Sequence, residues 1–399
     1  MTNLFLMKAL KITLIFQICL FPLLLTGCWD RIEINDLGLV LATGLDLTDD
    51  GELELSVQLA IPMAMGAGQG TSGGQGGEGQ ATTVEKVTGR TIFDAISKLQ
   101  ASVSRRIFWG HNQVIIIGEE LAKDGIQKHM EFFVRHPAPR LRTYIFVSKG
   151  KATDILKVVP DFDNTSAEVA REIAKFQVGM SVTLKELLQM LSEKASGAVL
   201  PLIEPEKEEQ GKGGLKVNGT AVFKKDKMIA QIDAKVTRGI LWLRDDIQLG
   251  AIILDPKEAE GHISFDLIRS RTELLPKIEN DHWKMIVRIT TEEDTVENET
   301  NLNLMNPEIV ARLEKQLEQK IEERIRLTLE QVQKELKVDI FGFAEAFRRK
   351  YPRQWAKVEN QWDEKFSELD VVIDTKAYIR RPGMSTTPQG MPEEEVQQE

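Results

Sequence analysis

Beyond its first 27 residues this 399-residue chain has no apolar run of transmembrane length, which takes about 20 residues. Histidine is scarce, with five: His111, His129, His136, His262 and His282. None stands near a cysteine or an acid at zinc-ligand spacing, and no helix-type His-x-x-x-His pair occurs. Gly-x-Ser-x-Gly and the phosphate-loop Gly-Lys-Ser/Thr are missing too, so no catalytic residue, metal ligand or cofactor is expected. Positive charge is in deficit, 51 Lys and Arg against 61 Asp and Glu, for a net charge of −10. An acidic body argues against nucleic acid as a partner and against a whole-surface grip on anionic lipid. Hydrophobic content is ordinary at 42%, and a chain of this length can build more than one core.

The one long apolar stretch is N-terminal. Lys8 and Lys11 precede a run from Ile12 to Leu25, interrupted by Thr13, Gln17 and Pro22. A positive segment followed by a short apolar one has the form of an export signal, expected over residues 1–27. The run ends at Leu25-Thr26-Gly27-Cys28, and Trp29-Asp30-Arg31-Ile32-Glu33 cannot extend it. Small residues before a cysteine resemble the lipobox of bacterial lipoproteins, in which the thiolate accepts a lipid. Cys28 is therefore the expected lipid-attachment residue. Cleavage before it removes Cys19, leaving no disulfide in the mature chain. It also removes Lys8 and Lys11, which takes the net charge from −10 to −12.

Along the mature chain, Leu37 to Asp46 and Leu53 to Leu59 flank Asp49-Asp50-Gly51 and read as a hairpin. Residues 66–79 are mostly Gly with Gln, Ser and Thr and read as a mobile loop. A capped helix from Thr91 is followed by Asn112 to Gly118, whose β-branched run reads as a strand buried on both faces. A helix from Glu119 to about Arg135 and a strand from Arg142 to Val147 complete a βαβ-like unit. Residues 204–214 are charged and glycine-rich and read as an interdomain linker closing a first domain, 28–203. A β-rich middle domain, 215–300, comes next. Asn306-Pro307-Glu308 starts a helix running to about Leu336, with an apolar stripe suited to a sheet of its own domain, 301–381; a coiled-coil seam is the alternative. The Pro- and Glu-rich tail, 382–399, is expected to be disordered.

Three basic clusters stand out on this acidic chain: Arg105-Arg106, Arg140-Leu141-Arg142 and Arg348-Arg349-Lys350. Each suits a solvated helix end, and each could also face an acidic partner loop or a lipid phosphate. The last lies beside aromatic residues, and arginine with aromatics is enriched at interfaces. Arg348, Arg349, Tyr351, Trp355 and Trp362 are thus a candidate partner interface, with burial in a core as the alternative.

Several stretches carry a resemblance. Cys28-Trp29-Asp30-Arg31-Ile32-Glu33-Ile34-Asn35-Asp36, Arg106 to His111 running into Ile115 to Ala122, Gly219 to Lys224 with Thr237 to Trp242, and Asp339 to Phe343 with Tyr351 to Trp355 are similar, in order, to the Ger(x)C-type spore-germination lipoproteins. The resemblance implies an α+β fold of three domains, each a mixed or antiparallel sheet with packed helices. It implies a lipid-anchored subunit that works with integral membrane partners in a nutrient germinant receptor, at the outer face of the inner spore membrane. The competing expectation is a solute-binding lipoprotein that captures the germinant itself in a cleft between two α/β lobes.

Overall fold

The computed structural model describes residues 36–61, 82–160, 163–177, 179–206 and 213–383, with isolated residues toward both ends. Cys28, nearly all of 1–27, the 66–79 stretch and nearly all of 384–399 lie outside the described residues.

Two sheets carry an α+β fold. The first contains β1 (Leu37–Leu47), β2 (Leu53–Ala60), β3 (Thr82–Gly89), β4 (Arg106–Phe108), β5 (Val114–Ile117), β6 (Tyr144–Ser148), β7 (Ala198–Pro205), β8 (Leu215–Lys224) and β9 (Lys227–Ile232). Its order is β3-β2-β1-β5-β6-β7-β8-β9, with β4 beside the start of β1. The centre, β1-β5-β6-β7, is parallel, and both flanks are antiparallel. The second sheet is β10 (Ala251–Leu254), β11 (Ile263–Glu279), β12 (His282–Asn298) and β13 (Asp370–Arg381), in that order, with β13 parallel to β12.

The helices are α1 (Ile92–Ser102), α2 (Glu119–Asp124), α3 (Gln127–Arg135), α4 (Ala152–Lys157), α5 (Ser166–Phe176), α6 (Leu184–Ser192), α7 (Ala234–Leu243), α8 (Pro307–Leu329), α9 (Phe343–Lys350), α10 (Pro352–Val358) and α11 (Trp362–Glu368). The helix expected from Glu119 to Arg135 is two, because Gly125 adopts φ +130° between α2 and α3.

Period-two alternation explains how the parallel centre is buried on both faces. Ile115 and Ile117 of β5 join Ile145, Val147 and the inner faces of α1 and α3. Val114 and Ile116 turn the other way, joining Phe146 beneath α4 and α5.

The expected linker does not separate two sheets. β7 and β8 are antiparallel neighbours, with Pro205 opposite Leu215, and the Glu206 amide donates to the Gly214 carbonyl at 2.8 Å. The first sheet thus continues into the region read as a middle domain, and one apolar cluster runs from Val40 to Ala377. A polar, glycine-rich stretch looks the same whether it joins domains or adjacent strands. What distinguishes the two cases is the pairing of its flanks.

β11 and β12 each run for 17 residues, past the ends of their apolar alternation near Ile268 and Ile289. Asn280 and Asp281 close the hairpin with φ of +50° and +62°, the two-residue geometry whose twist matches paired strands. Charged Arg269, Arg271 and Glu273 conceal the extension in the sequence.

Asn306 caps α8, accepting from the Glu308 amide at 2.8 Å, and the stripe Ile309, Leu313, Leu317, Ile321, Ile325 and Leu329 is buried. The helix packs on α7 and β13 rather than in a coiled coil. At the α7 crossing a Cβ on Gly239 would lie 2.0 Å from Thr328 Oγ1, so only glycine permits that approach. On the β13 side Glu314 and Glu318 accept from the amides of Ile379 and Ala377, at 3.0 and 3.4 Å. This partly covers an edge strand that would otherwise present free donors.

Candidate functional site

The chain leaves α8 through a π-helical turn, Glu330–Leu336, whose Gln333 Nε2 donates to the carbonyls of Phe366 and Leu369 at 2.8 and 2.7 Å. Just beyond it sits Asp339, fully buried. Its carboxylate accepts from the amides of Phe341, Gly342, Phe343 and Ala344 at 3.0, 3.1, 3.3 and 2.6 Å, and from Trp362 Nε1 at 3.1 Å. Burial pushes its pKa up, and these hydrogen bonds pull against that shift. Its own carbonyl accepts from the Gly197 amide at 2.8 Å, tying this turn to the entrance of β7.

Around Asp339 the aromatic residues form a packed cluster. Trp355 and Trp362 stand edge to face with centroids 4.9 Å apart, and Trp283, Phe347 and Phe366 pack on Trp362. Trp355 and Trp362 are therefore core residues, while Tyr351 is half-buried beneath Lys350. Arg348 and Arg349 project to solvent and both pair with Glu345 of the same helix. The five candidate residues thus divide into a buried aromatic pair, a compensated basic rim and the half-buried Tyr351 between them in the chain. The rim borders a cleft of about 820 Å³ between the end of α6 and the start of α9. Trp355 Nε1 is buried at this cleft without a hydrogen-bond partner among the described residues.

A second cavity, about 730 Å³, lies where the β1–β2 turn meets α1 and α3. Leu53, Ile92, Phe93 and Phe132 give it an apolar lining, and His129 adds a buried imidazole whose Nε2 has no partner among the described residues. Burial, with Lys128 nearby, lowers the His129 pKa to about 4, so the ring is neutral at pH 7.

Two buried acids went unnoticed in the sequence. Asp339 had a signal, an acid followed by Gly342 and a helix start. Asp46, at the end of β1, accepts from the amides of Ala152 and Thr153 at 2.8 and 3.0 Å, pinning α4 to the sheet. A Cβ on Gly118 would strike its Oδ1 at 2.0 Å, which explains the glycine there. Nothing local in the sequence marks that pair, because Asp46 and Ala152 are joined only by the fold. Among the described residues no helix is long and apolar enough to cross a membrane.

Two family models match in tandem. "Spore germination protein N-terminal domain" covers residues 30–205, and "Spore germination B3/GerAC like, C-terminal" covers 218–383; they meet across the β7–β8 connection. The chain is 30% identical over 374 residues to the putative spore germination protein YfkR of Bacillus subtilis (strain 168), covering 92% of this chain and 96% of that one. It is 27% identical to spore germination protein KC of the same organism, covering 95% and 97%. The crystal structure of the GerBC protein superposes with a TM-score of 0.57 at 21% identity, covering 85% of this chain and 96% of that one, and shares the fold. The chain belongs to the GerAC-like family of spore germination proteins.

Proposed function

We propose that this protein is the lipid-anchored subunit of a membrane germinant receptor, acting non-catalytically to assemble or couple the integral membrane subunits that trigger germination. The observation that carries the reading is the end-to-end match to spore germination proteins, 92% of this chain and 96% of YfkR. Leu25-Thr26-Gly27-Cys28 supports the anchored part of it. Two acyl chains on Cys28, at about 0.8 kcal/mol per buried methylene, hold an acidic body to a bilayer stably. Membrane fractionation tests the anchor: Cys28→Ala should move the protein from the membrane to the soluble fraction with its fold intact. Full retention of the variant with normal germination would refute it. Co-purification from gently solubilised spore membranes tests assembly, and repeated recovery of the lipoprotein alone would count against it.

The 730 Å³ apolar cavity with its neutral His129 favours a second reading, direct capture of a small germinant. Saturable heat on titrating amino acids or sugars into the full chain, lost in His129→Phe, would promote that reading.

A further inference from the structure

β1, β5 and β6 run parallel, so their first residues share one end of the sheet. A cavity of about 450 Å³ opens there, lined by Arg140, Arg142, Arg171, Lys175, His111 and Asn112, with no carboxylate in its walls among the described residues. Arg171 is steered by a 2.7 Å bond from Nη1 to Gln113 Oε1; outside the cavity it pairs with Glu168 and shares Glu172 with Lys175. Arg140 and Arg142 have no acidic partner among the described residues. On a chain of net charge −10 this is a local excess of positive charge built around a pocket.

Asn112 provides independent evidence of a ligand. Its side chain is 2% exposed, yet neither Nδ2 nor Oδ1 has a hydrogen-bond partner among the described residues. Buried amides are almost always satisfied, and this one offers a donor and an acceptor beside the cations. A phosphate oxygen would accept from Nδ2 and from the guanidinium forks. A headgroup hydroxyl would donate to Oδ1.

The pocket also lies at the end of the body nearest the anchor. The Gln113 amide donates to the Leu41 carbonyl at 2.9 Å, so Leu37 is only four β1 residues, about 13 Å, away. Eight residues lie between Cys28 and Leu37, a tether of about 30 Å at most. We propose that this pocket binds the phosphate of an anionic phospholipid with a hydroxylated headgroup, setting how the body stands on the membrane. The inference rests on the lipid anchor for bringing the membrane within reach.

Trypsin tests it directly, because it cuts after Arg140 and Arg142. Full-length lipidated protein is reconstituted in vesicles of phosphatidylcholine alone or with phosphatidylglycerol, and flotation records how much stays bound. Cleavage at Arg140 and Arg142 should slow in the anionic vesicles, while cleavage at Arg348 and Arg349 should not. Lys175→Gln should relieve the protection by about fivefold, the effect of one cation at an anionic surface. Asn112→Asp, nearly isosteric and placing a carboxylate in the pocket, should abolish it with the circular dichroism spectrum unchanged. Equal cleavage in both vesicle types, with the protein still floating, would overturn the proposal; loss of flotation would instead refute the anchor. Protection on neutral vesicles by inorganic phosphate would make it a free-anion site. Protection on neutral vesicles only when the membrane subunits are co-reconstituted would assign it to an acidic protein loop. Either result overturns the lipid assignment.

Discussion

Arg140-Leu141-Arg142 and Arg348-Arg349-Lys350 look alike in the sequence and are opposites in the fold. The second ends α9, where Glu345, three and four residues back, pairs with both arginines on the same helix face. Its neighbours are an aromatic core knotted by Asp339. The first lies in the turn that leads into β6, closed by the Thr143 amide donating to the Arg140 carbonyl at 3.1 Å, and no helix there supplies a partner three or four residues away. Its surroundings come from distant segments, and those contribute Arg171 and Lys175, whose acidic partners Glu168 and Glu172 stand outside the cavity, and an amide with no partner among the described residues. Charge matters for ligands where the fold leaves it uncompensated, and serves packing and solubility where the helix neutralises it.

The largest effect that would separate these regions is expected at Asp339. Asp339→Ala removes the acceptor for four backbone amides and Trp362 Nε1. Leaving even two of those donors buried and unpaired costs about 1–3 kcal/mol each, so a loss of at least about 2 kcal/mol should appear in urea unfolding. A loss below about 1 kcal/mol would mean that water replaces the carboxylate and that the region is not the rigid one.

A middle-sized effect is expected at Glu293 on β12, which is buried with Thr291 Oγ1 donating to it at 2.7 Å. Burial, with Glu314 and Glu292 adding repulsion, raises its pKa to about 7. A raised carboxyl pKa means the folded state holds the proton more tightly than the unfolded chain. The contribution is therefore complete below the ordinary value of 4.5 and lost as pH rises through 7. His129 slopes the other way, since its lowered pKa favours unfolding as pH falls from 6.5 toward 4. Comparing wild type with Glu293→Gln isolates the carboxyl. The difference in unfolding free energy between pH 5 and 8 should be on the order of 2–3 kcal/mol, at about 1.4 kcal/mol per pKa unit. Parallel pH profiles for the two proteins would show that Glu293 is hydrated and ordinary.

The smallest effect is expected where the sequence pointed first. Arg348→Gln with Arg349→Gln should change stability by less than about 1 kcal/mol, since exposed ion pairs contribute little. The pair should also leave membrane orientation unchanged. A large defect in receptor assembly from this pair would restore the rim of the 820 Å³ cleft as a partner surface and erase the contrast.

How much could be read in advance depended on how local each feature is. The β5 run and the α8 stripe with its Asn306-Pro307 start obey rules spanning a few residues. They were legible. The β11–β12 hairpin, 17 residues in each strand, was half legible, because its apolar faces show only where the second face is charged in alternation. The membership of β8 in the first sheet was not legible, since pairing across 204–214 leaves no mark within those residues. Among the candidate residues, the burial of Trp355 and Trp362 was one of two alternatives, and only the packing of Trp362 on Trp283 and Phe347, and of Trp355 on Trp362, decided it.

By itself the sequence determined the elements, the acidic balance and an N-terminal stretch that resembles a lipoprotein signal ending at Cys28. Each depends on neighbours along the chain. Only the tertiary structure decided which charges are cancelled, which amides are left unpaired and which end of the sheet holds the basic pocket. Coulomb interactions and hydrogen bonds act over a few ångströms of space, and residues as far apart as Asn112 and Lys175 come within that range only after the strands have paired.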